Sequence, residues 1–595
     1  MHLNTHQLDR AEAEIKEYNN GVVSANGGVD TYEEHSPTSP SSWLTPATER
    51  RMVARYYESW LRSALPTQCL DGSVNDGGFA GQWKGWYEGR HTAYILARLI
   101  ASRCWIGEIR CQVANLEESI RRAMAFIRRR QNANGQLEFM GTYSENEVGF
   151  PMSGLAEGYR RLLQLEQDSL MGVCADLKEF LLCGAEAVLK GSACTANHRW
   201  AAACAPLAVV HSLWPDPRYL AKIEDYLSDG IDCNEDGCWY EERSPNYNMV
   251  ANRGLMIMAD YLDRPELFQP VLRNLRFVLH CIQPNGEADS SFSHRQDRGS
   301  AGCLPAFYCV ARRGAQVSGD GQLTTLALAV WRQSKRDFHL MPLPFELDRH
   351  PAPLPGERKL PTSYQKHFVR SSLVRVRDGE TSLTLAADPG GHFYDTVRDQ
   401  WGGPKRSEDW IHLQYGDLVI ESIHLAGAGM GNIQPSSLEL PAPGQYQMEG
   451  FMPGWTHTLH FRPGNRRHPM VWNWSHRIQI SRRRQQLELE IESANQSSLV
   501  ASLRFWVRPG AFLQQGDSVR EIEAGKTISL AGEGTAVLFS KTHRMEISGM
   551  PPAAHEAPLN MKSSIPSAIS EQCGCLSLGL LFPVKIKLRF TWMRT

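Results

Sequence analysis

Pro342-Leu343-Pro344-Phe345-Glu346-Leu347-Asp348-Arg349-His350-Pro351-Ala352-Pro353-Leu354-Pro355-Gly356-Glu357-Arg358-Lys359-Leu360-Pro361 is where the chain changes character. Proline fixes φ and withholds a backbone donor, so neither a long helix nor a central strand runs through such a stretch. On its N-terminal side, apolar residues recur at three-to-four spacing over 51–61, 91–105, 116–130, 154–165, 177–189, 201–214, 219–228 and 250–262, the period of amphipathic helices. On its C-terminal side the period is two: 371–377, 381–385, 410–415, 486–491 and 503–507 alternate as strands. The expected fold is therefore multidomain α and β, with an incomplete (α/α) toroid or barrel over 46–341, a proline-rich linker over 342–365 and an antiparallel β-sandwich over 366–550. A polar arm, 1–45, precedes these, and the sequence leaves the tail 551–595 undetermined, with 576–590 readable as an added hydrophobic strand.

The toroid reading rests on a recurring turn. Asp76-Gly77-Gly78, Asn134-Gly135-Gln136, Lys190-Gly191-Ser192, Asp236-Gly237-Cys238 and Asn285-Gly286-Glu287 follow one another at roughly 46 to 58 residues, the length of one helical hairpin. A succession of hairpins joined in this way collects one class of loop on one rim. The 595 residues are ample for such a core and a second domain.

Composition excludes other classes. Lys and Arg number 63 against 65 Asp and Glu, so no global field favours nucleic acid or an anionic membrane, and an anionic ligand must be met by local arginines. Apart from Cys573 and Cys575, the 14 cysteines lie between Cys69 and Cys309 without metal-ligand spacing, which reads as buried free thiols. The start of the chain lacks the layout of a signal peptide and no apolar run approaches a bilayer span, so a soluble cytoplasmic protein is expected.

Thr195-Ala196-Asn197-His198-Arg199-Trp200 follows one of the glycine turns, and Trp239-Tyr240-Glu241-Glu242-Arg243-Ser244-Pro245-Asn246-Tyr247-Asn248 follows another. Together they supply an amide, an imidazole, guanidinium groups and phenols. Amide and guanidinium can hold a carboxylate while imidazole and phenol move protons, which suits proton abstraction beside the carboxylate of a uronic acid and β-elimination. Asn197, His198 and Tyr247 are the catalytic candidates, with Tyr240 the rival phenol. Asn197 could instead cap a helix, and Tyr247 could pack on the rim from a loop before a helix starting near Met249. Substrate contacts are expected from Arg199, Trp200, Arg243, Tyr240, from His294 and Arg295 after the Asn285-Gly286 turn, from Trp83 and Trp86, and from His392 in Gly390-Gly391-His392-Phe393-Tyr394-Asp395. His412, Asp417 and His424 have no compelling metal spacing, so no metal ligand is assigned and a structural divalent ion in the β-domain stays an open option.

These motifs resemble those of the heparinase II/III-like polysaccharide lyases and the related alginate lyases, over about residues 46 to 550. The resemblance implies a helical toroid followed by a β-sandwich and a lyase acting on an acidic polysaccharide or oligosaccharide; the elimination chemistry itself requires no cofactor. It also implies roles: Asn197 neutralising the uronate carboxylate, His198 as base or assisting in that neutralisation, Tyr247 as acid or as both acid and base. Two other readings compete. A glycoside hydrolase on the same toroid would use a carboxylate pair drawn from Glu241, Glu242, Asp289 and Asp297, and a non-catalytic carbohydrate-binding protein would keep the fold without the chemistry.

Overall fold

Some helices of the first part of the chain start where the sequence caps them. Thr45 accepts the Thr48 amide at 3.2 Å ahead of the helix Pro46–Ala64, and Asp216 accepts the Arg218 amide at 2.8 Å ahead of Pro217–Ser228. In each a hydrogen-bonding residue is followed by proline at the first helical position, where no amide proton is needed. Twelve α-helices lie among the described residues, from Pro46–Ala64 to Leu343–Arg349, before the strands of the second part. This computed structural model describes residues 45–81, 86–239, 243–293, 297, 304, 307–334, 340–387, 411–427, 431–432, 435–458, 469–495, 500–531, 534–552, 572–581 and 584–594.

Burial separates two kinds of helix. Gly89–Cys104 is covered nearly all round, whereas Val113–Arg129 buries a single stripe, Leu116, Ile120, Ala123, Met124 and Ile127. Such alternation of inner and outer helices is what an (α/α) toroid requires, and the fold is of that class, with a β-sandwich after it.

The recurring turn is real in four of its five occurrences. Gly77, Gly135, Gly237 and Gly286 have φ of 86°, 79°, 90° and 83°, and each turn is closed by a lone antiparallel bridge: Gln68 with Phe79, Gln131 with Leu137, Cys233 with Trp239, Ile282 with Ala288. A Cβ at Gly77, Gly135 or Gly237 would fall 2.1, 2.0 or 2.3 Å from the carbonyl oxygen of Arg122, Cys183 or Arg273, so these positions need glycine both for the left-handed conformation and for the approach to a helix backbone. A side-chain amide ties three of these turns down. Gln68 donates to the Gly77 carbonyl at 3.0 Å, Gln131 to that of Gly135 at 3.1 Å and Asn274 to that of Gly237 at 2.7 Å.

By compactness the described residues fall into two units: those of 1–231, 250–271 and 306–359, and those of 232–249, 272–305 and 360–595. The proline-rich stretch is not featureless. It opens with the helix Leu343–Arg349, with Pro344 in its first turn, before running irregularly to β3 at Ser363–Phe368.

Among the described residues two nine-stranded sheets form the core of the second unit. One has the order β15-β14-β17-β18-β20-β12-β11-β10-β9, the other β16-β19-β13-β7-β6-β5-β4-β3, with β8 paired to β7. In the first sheet these are Ser518–Glu521, Phe512–Gln515, Gly534–Phe539, His543–Met550, Val584–Arg594, Gln486–Asn495, Pro469–Arg483, Gln445–Thr458 and Ser437–Ala442. The second runs Thr527–Ser529, Gly574–Leu581, Val500–Val507, Leu418–Gly427, Ile411–Tyr415, Thr381–Ala386, Leu373–Asp378, then β3, with β8 at Gly431–Asn432. Pairing is antiparallel except between β16 and β19. Alternation explains the packing. Leu487, Leu489 and Ile491 of β12 meet Ile586, Leu588, Phe590 and Trp592 of β20 in one apolar core with residues of both sheets, while Glu488 and Glu490 face outward to Lys587 at 3.2 Å and Lys585 at 3.1 Å. Residues 574–581 and 584–594 of the tail thus belong to the two sheets.

One buried polar chain runs through the same unit. The Arg375 guanidinium, fully buried on β4, donates to Asp289 at 2.7 Å and to the His280 carbonyl at 3.0 Å, and Thr384 donates to the same carboxylate. Gln283 links Arg375 at 3.4 Å to His412 at 3.3 Å, His412 lies 3.4 Å from Glu421, and Glu421 accepts from Arg508, which also holds Glu287 at 2.7 Å. Burial alone would raise the Asp289 carboxyl; Arg375, with smaller help from His412 and Thr384, outweighs it and holds the group below its ordinary value.

Candidate active site

Asn197 and His198 follow the turn that breaks the repeat. Gly191 closes the helix Met171–Lys190 in an extended conformation, φ −76° and ψ 169°, and the chain runs irregularly to a helical turn at Ala196. Over His198–Cys204 the helix is π, wound with one residue more per turn, before Ala205–His211 continues as α. Asn197 is itself helical (φ −67°, ψ −38°), makes no capping bond and is 4 % exposed, so the cap alternative does not describe it. Its Oδ1 accepts the Thr195 hydroxyl at 2.8 Å, which turns the amide NH2 away from Thr195. The half-buried His198 ring stands edge-on to Phe150, with centroids 5.6 Å apart.

The next two residues point elsewhere. Arg199 reaches Asp229 at 3.8 Å and lies 5.5 Å from the Tyr226 ring, on the helix Pro217–Ser228 and its end. Trp200 is fully buried, so its role is core packing and the expected sugar-stacking face is not available. Trp86, by contrast, is 46 % exposed. Near it Glu88 is buried, and burial, opposed by Arg90 and reinforced by Glu138 and Glu147, raises its carboxyl.

Arg243 and Tyr247 belong to the second unit. The helix bearing Tyr247 begins at Pro245, not near Met249, so Tyr247 sits in a first helical turn and not in a loop. Ser244 causes this: its hydroxyl accepts the Tyr247 amide at 3.2 Å and its carbonyl accepts the Asn248 amide at 2.8 Å, with Pro245 at the first helical position. The same hydroxyl donates to Asp297 at 2.6 Å, and Ser293 donates to the other oxygen of that carboxylate at 2.6 Å. Arg243 has φ of 48°, is 4 % exposed, and donates through Nη1 to the Ala387 carbonyl at 3.2 Å. Its Nε and Nη2 are buried with no hydrogen-bond partner among the described residues. Buried orphan donors are costly, and an acceptor oxygen would satisfy them, an anionic one most strongly.

No protein-family model matches the sequence, and no curated protein matches it. Solved structures do. A crystal structure of heparinase III aligns over 99 % of this chain and 91 % of its own with a TM-score of 0.56 at 12 % identity. That of a mutant of heparan sulfate lyase HepC from Pedobacter heparinus aligns over 99 % and 89 % with a TM-score of 0.51 at 11 % identity. The fold resembles that of heparinase III. At these identities the likeness is one of fold alone.

Among the carboxylates a hydrolase would need, Asp289 and Asp297 are committed to Arg375 and Thr384 and to Ser244 and Ser293. His412, Asp417 and His424 are engaged separately, with Glu421, with His543 at 2.7 Å and with Ser422 at 3.1 Å. Among the described residues no three His, Cys, Asp or Glu side chains converge as metal ligands, and no helix is long and apolar enough to cross a membrane. Tyr240, Glu241, Glu242, His294, Arg295, Trp83 and His392 lie outside the described residues. Sequence reasoning missed the cap at Ser244, although Ser-Pro before an apolar-periodic stretch is a readable signal. It also missed the π-helical turn, for which no composition cue exists.

Proposed function

We propose that this protein is a polysaccharide lyase that cleaves a uronic-acid-containing polysaccharide or oligosaccharide by β-elimination, leaving a 4,5-unsaturated uronate end. The observation that carries the reading is Asn197-His198 at the entry to a π-helical stretch, Asn197 directly before it and His198 its first residue, in a chain whose fold resembles that of heparinase III over 99 % of its length. The orphan donors of Arg243 favour an acidic substrate.

The difficult step is removal of the proton from C5, a weakly acidic carbon. Breaking the C5–H bond leaves its electron pair delocalised onto the carboxylate, and hydrogen bonds from the Asn197 amide and the Arg243 guanidinium would stabilise that growing charge. His198 or Tyr247 takes the proton. The electron pair then forms the C4–C5 double bond as the C4–O bond breaks, and Tyr247 returns a proton to the departing oxygen. No water is consumed, and the formal oxidation of C5 is balanced by the reduction of C4, so no external oxidant or reductant is needed.

The test is incubation with a panel of uronic-acid polysaccharides, read by ultraviolet absorbance of the conjugated alkene and by product mass. Products with the double bond and no added water establish the lyase; added water and no such band would move the protein to the hydrolases. With an active substrate in hand, Tyr247→Phe should lower turnover by about 10²-fold or more, the scale of acid–base catalysis, while binding and fold persist. A fully active variant would remove Tyr247 from the mechanism.

A further inference from the structure

Two glycines and one aromatic ring hold the turn from which Asn197 and His198 project. An ideal Cβ at Gly149, in the helix Glu145–Leu165, would stand 1.8 Å from the Ala202 carbonyl oxygen. One at Gly254, in Pro245–Leu262, would stand 2.4 Å from the carbonyl carbon and oxygen of Trp200. Both approaches are to backbone, which cannot swing aside as a side chain can. Both fall within His198–Cys204, the π-helical stretch. Phe150, next to Gly149, sets its ring against His198 at 5.6 Å.

A π-turn is unusual and stays only where its surroundings demand it. Its geometry decides where the preceding residues point, because one residue more or less in a helix rotates everything upstream by about 100°. Here the widened turn begins directly after Asn197, and neighbouring helices contact it through positions that carry no side chain. We propose that Gly149, Phe150 and Gly254 are positioning residues that fix the π-helical register of residues 198–204 and so aim Asn197 and His198 at the substrate; this rests on the lyase reading. None of the three touches reacting atoms. They act through the segment they hold.

The experiment uses the full chain with labelled histidine, the His198 imidazole resonance being assigned by its loss in His198→Gln. Gly254→Ala should displace that resonance and lower kcat on the order of 10²-fold, the scale of a misplacement near 1 Å, with KM within about twofold. Gly172→Ala, where nothing lies within 4 Å of the added methyl, should change neither. Phe150→Leu, which spares every backbone contact, should move the resonance and lower kcat in the same direction even if Gly254→Ala fails to fold. An unmoved His198 signal in folded Gly254→Ala and Phe150→Leu overturns the inference, as does wild-type kcat in both. A displaced signal in a protein that forms no unsaturated product from any substrate upholds the positioning and overturns the lyase reading instead.

Discussion

Ser244 shows how much one side chain decides. A single hydroxyl starts a helix by accepting the Tyr247 amide and holds Asp297 by donating to it. The motif Ser244-Pro245 carries a helix-start signal, although the reading from sequence placed that start near Met249, while the partner Asp297, 53 residues on, leaves no signal at all, because nothing local marks a tertiary contact. His476 is the converse case, a polar residue in the apolar interior of β11. Burial pushes its imidazole down from 6.5 to about 4. The unfolded chain therefore binds a proton more readily than the folded one, so the stability tied to neutral His476 is complete above about pH 6.5 and is lost as pH falls toward 4. Over that window the loss is on the order of 3 kcal/mol. His476→Leu should flatten it, as read from urea unfolding at pH 7 and pH 4.5; an unchanged pH slope would show that another group sets the acid limb.

At the level of elements, the glycine turns and the change of period at Pro342 carried most of the fold. The turns at Gly77, Gly135, Gly237 and Gly286 recur in the structure with the same bridge and the same left-handed glycine, because backbone conformation is written in residue type. Gly191 looks the same in sequence and is not, since its neighbours lead into the irregular segment before Asn197. The buried chain from Asp289 through Arg375 to Glu421 was illegible for another reason: its members are scattered between the turn after Ile282 and strands β4 to β7. Removing Arg375 leaves the Asp289 carboxylate buried without its cation, so Arg375→Met should cost about 3–5 kcal/mol in urea unfolding. Adding Asp289→Asn should return part of that loss. A single-variant cost below about 1 kcal/mol would mean that water reaches the carboxylate and the pair holds little.

For the molecule as a whole, the last residues matter as much as the linker that divides its sequence. Strand β19 lies between β16 and β13 in one sheet, and β20 between β18 and β12 in the other, so the final stretch is interior to both. Read along the sequence, 551–595 follows the sandwich strands and invites description as an appendage. Pairing order makes it a seam instead, because hydrogen bonding places strands by register, independent of their rank in the chain. Leu576, Leu578, Leu580, Ile586, Leu588, Phe590 and Trp592 are all at most 3 % exposed. Each such side chain contributes about 1.5–3 kcal/mol by burial, and together they are as large as the whole margin of roughly 5–15 kcal/mol by which domains are stable. A chain ending at Pro552 should therefore lack a cooperative unfolding transition for the sandwich, bind hydrophobic dyes and precipitate through the exposed edges of β12, β13, β16 and β18. A soluble truncated chain with the full-length unfolding midpoint would show that the two sheets close without β19 and β20.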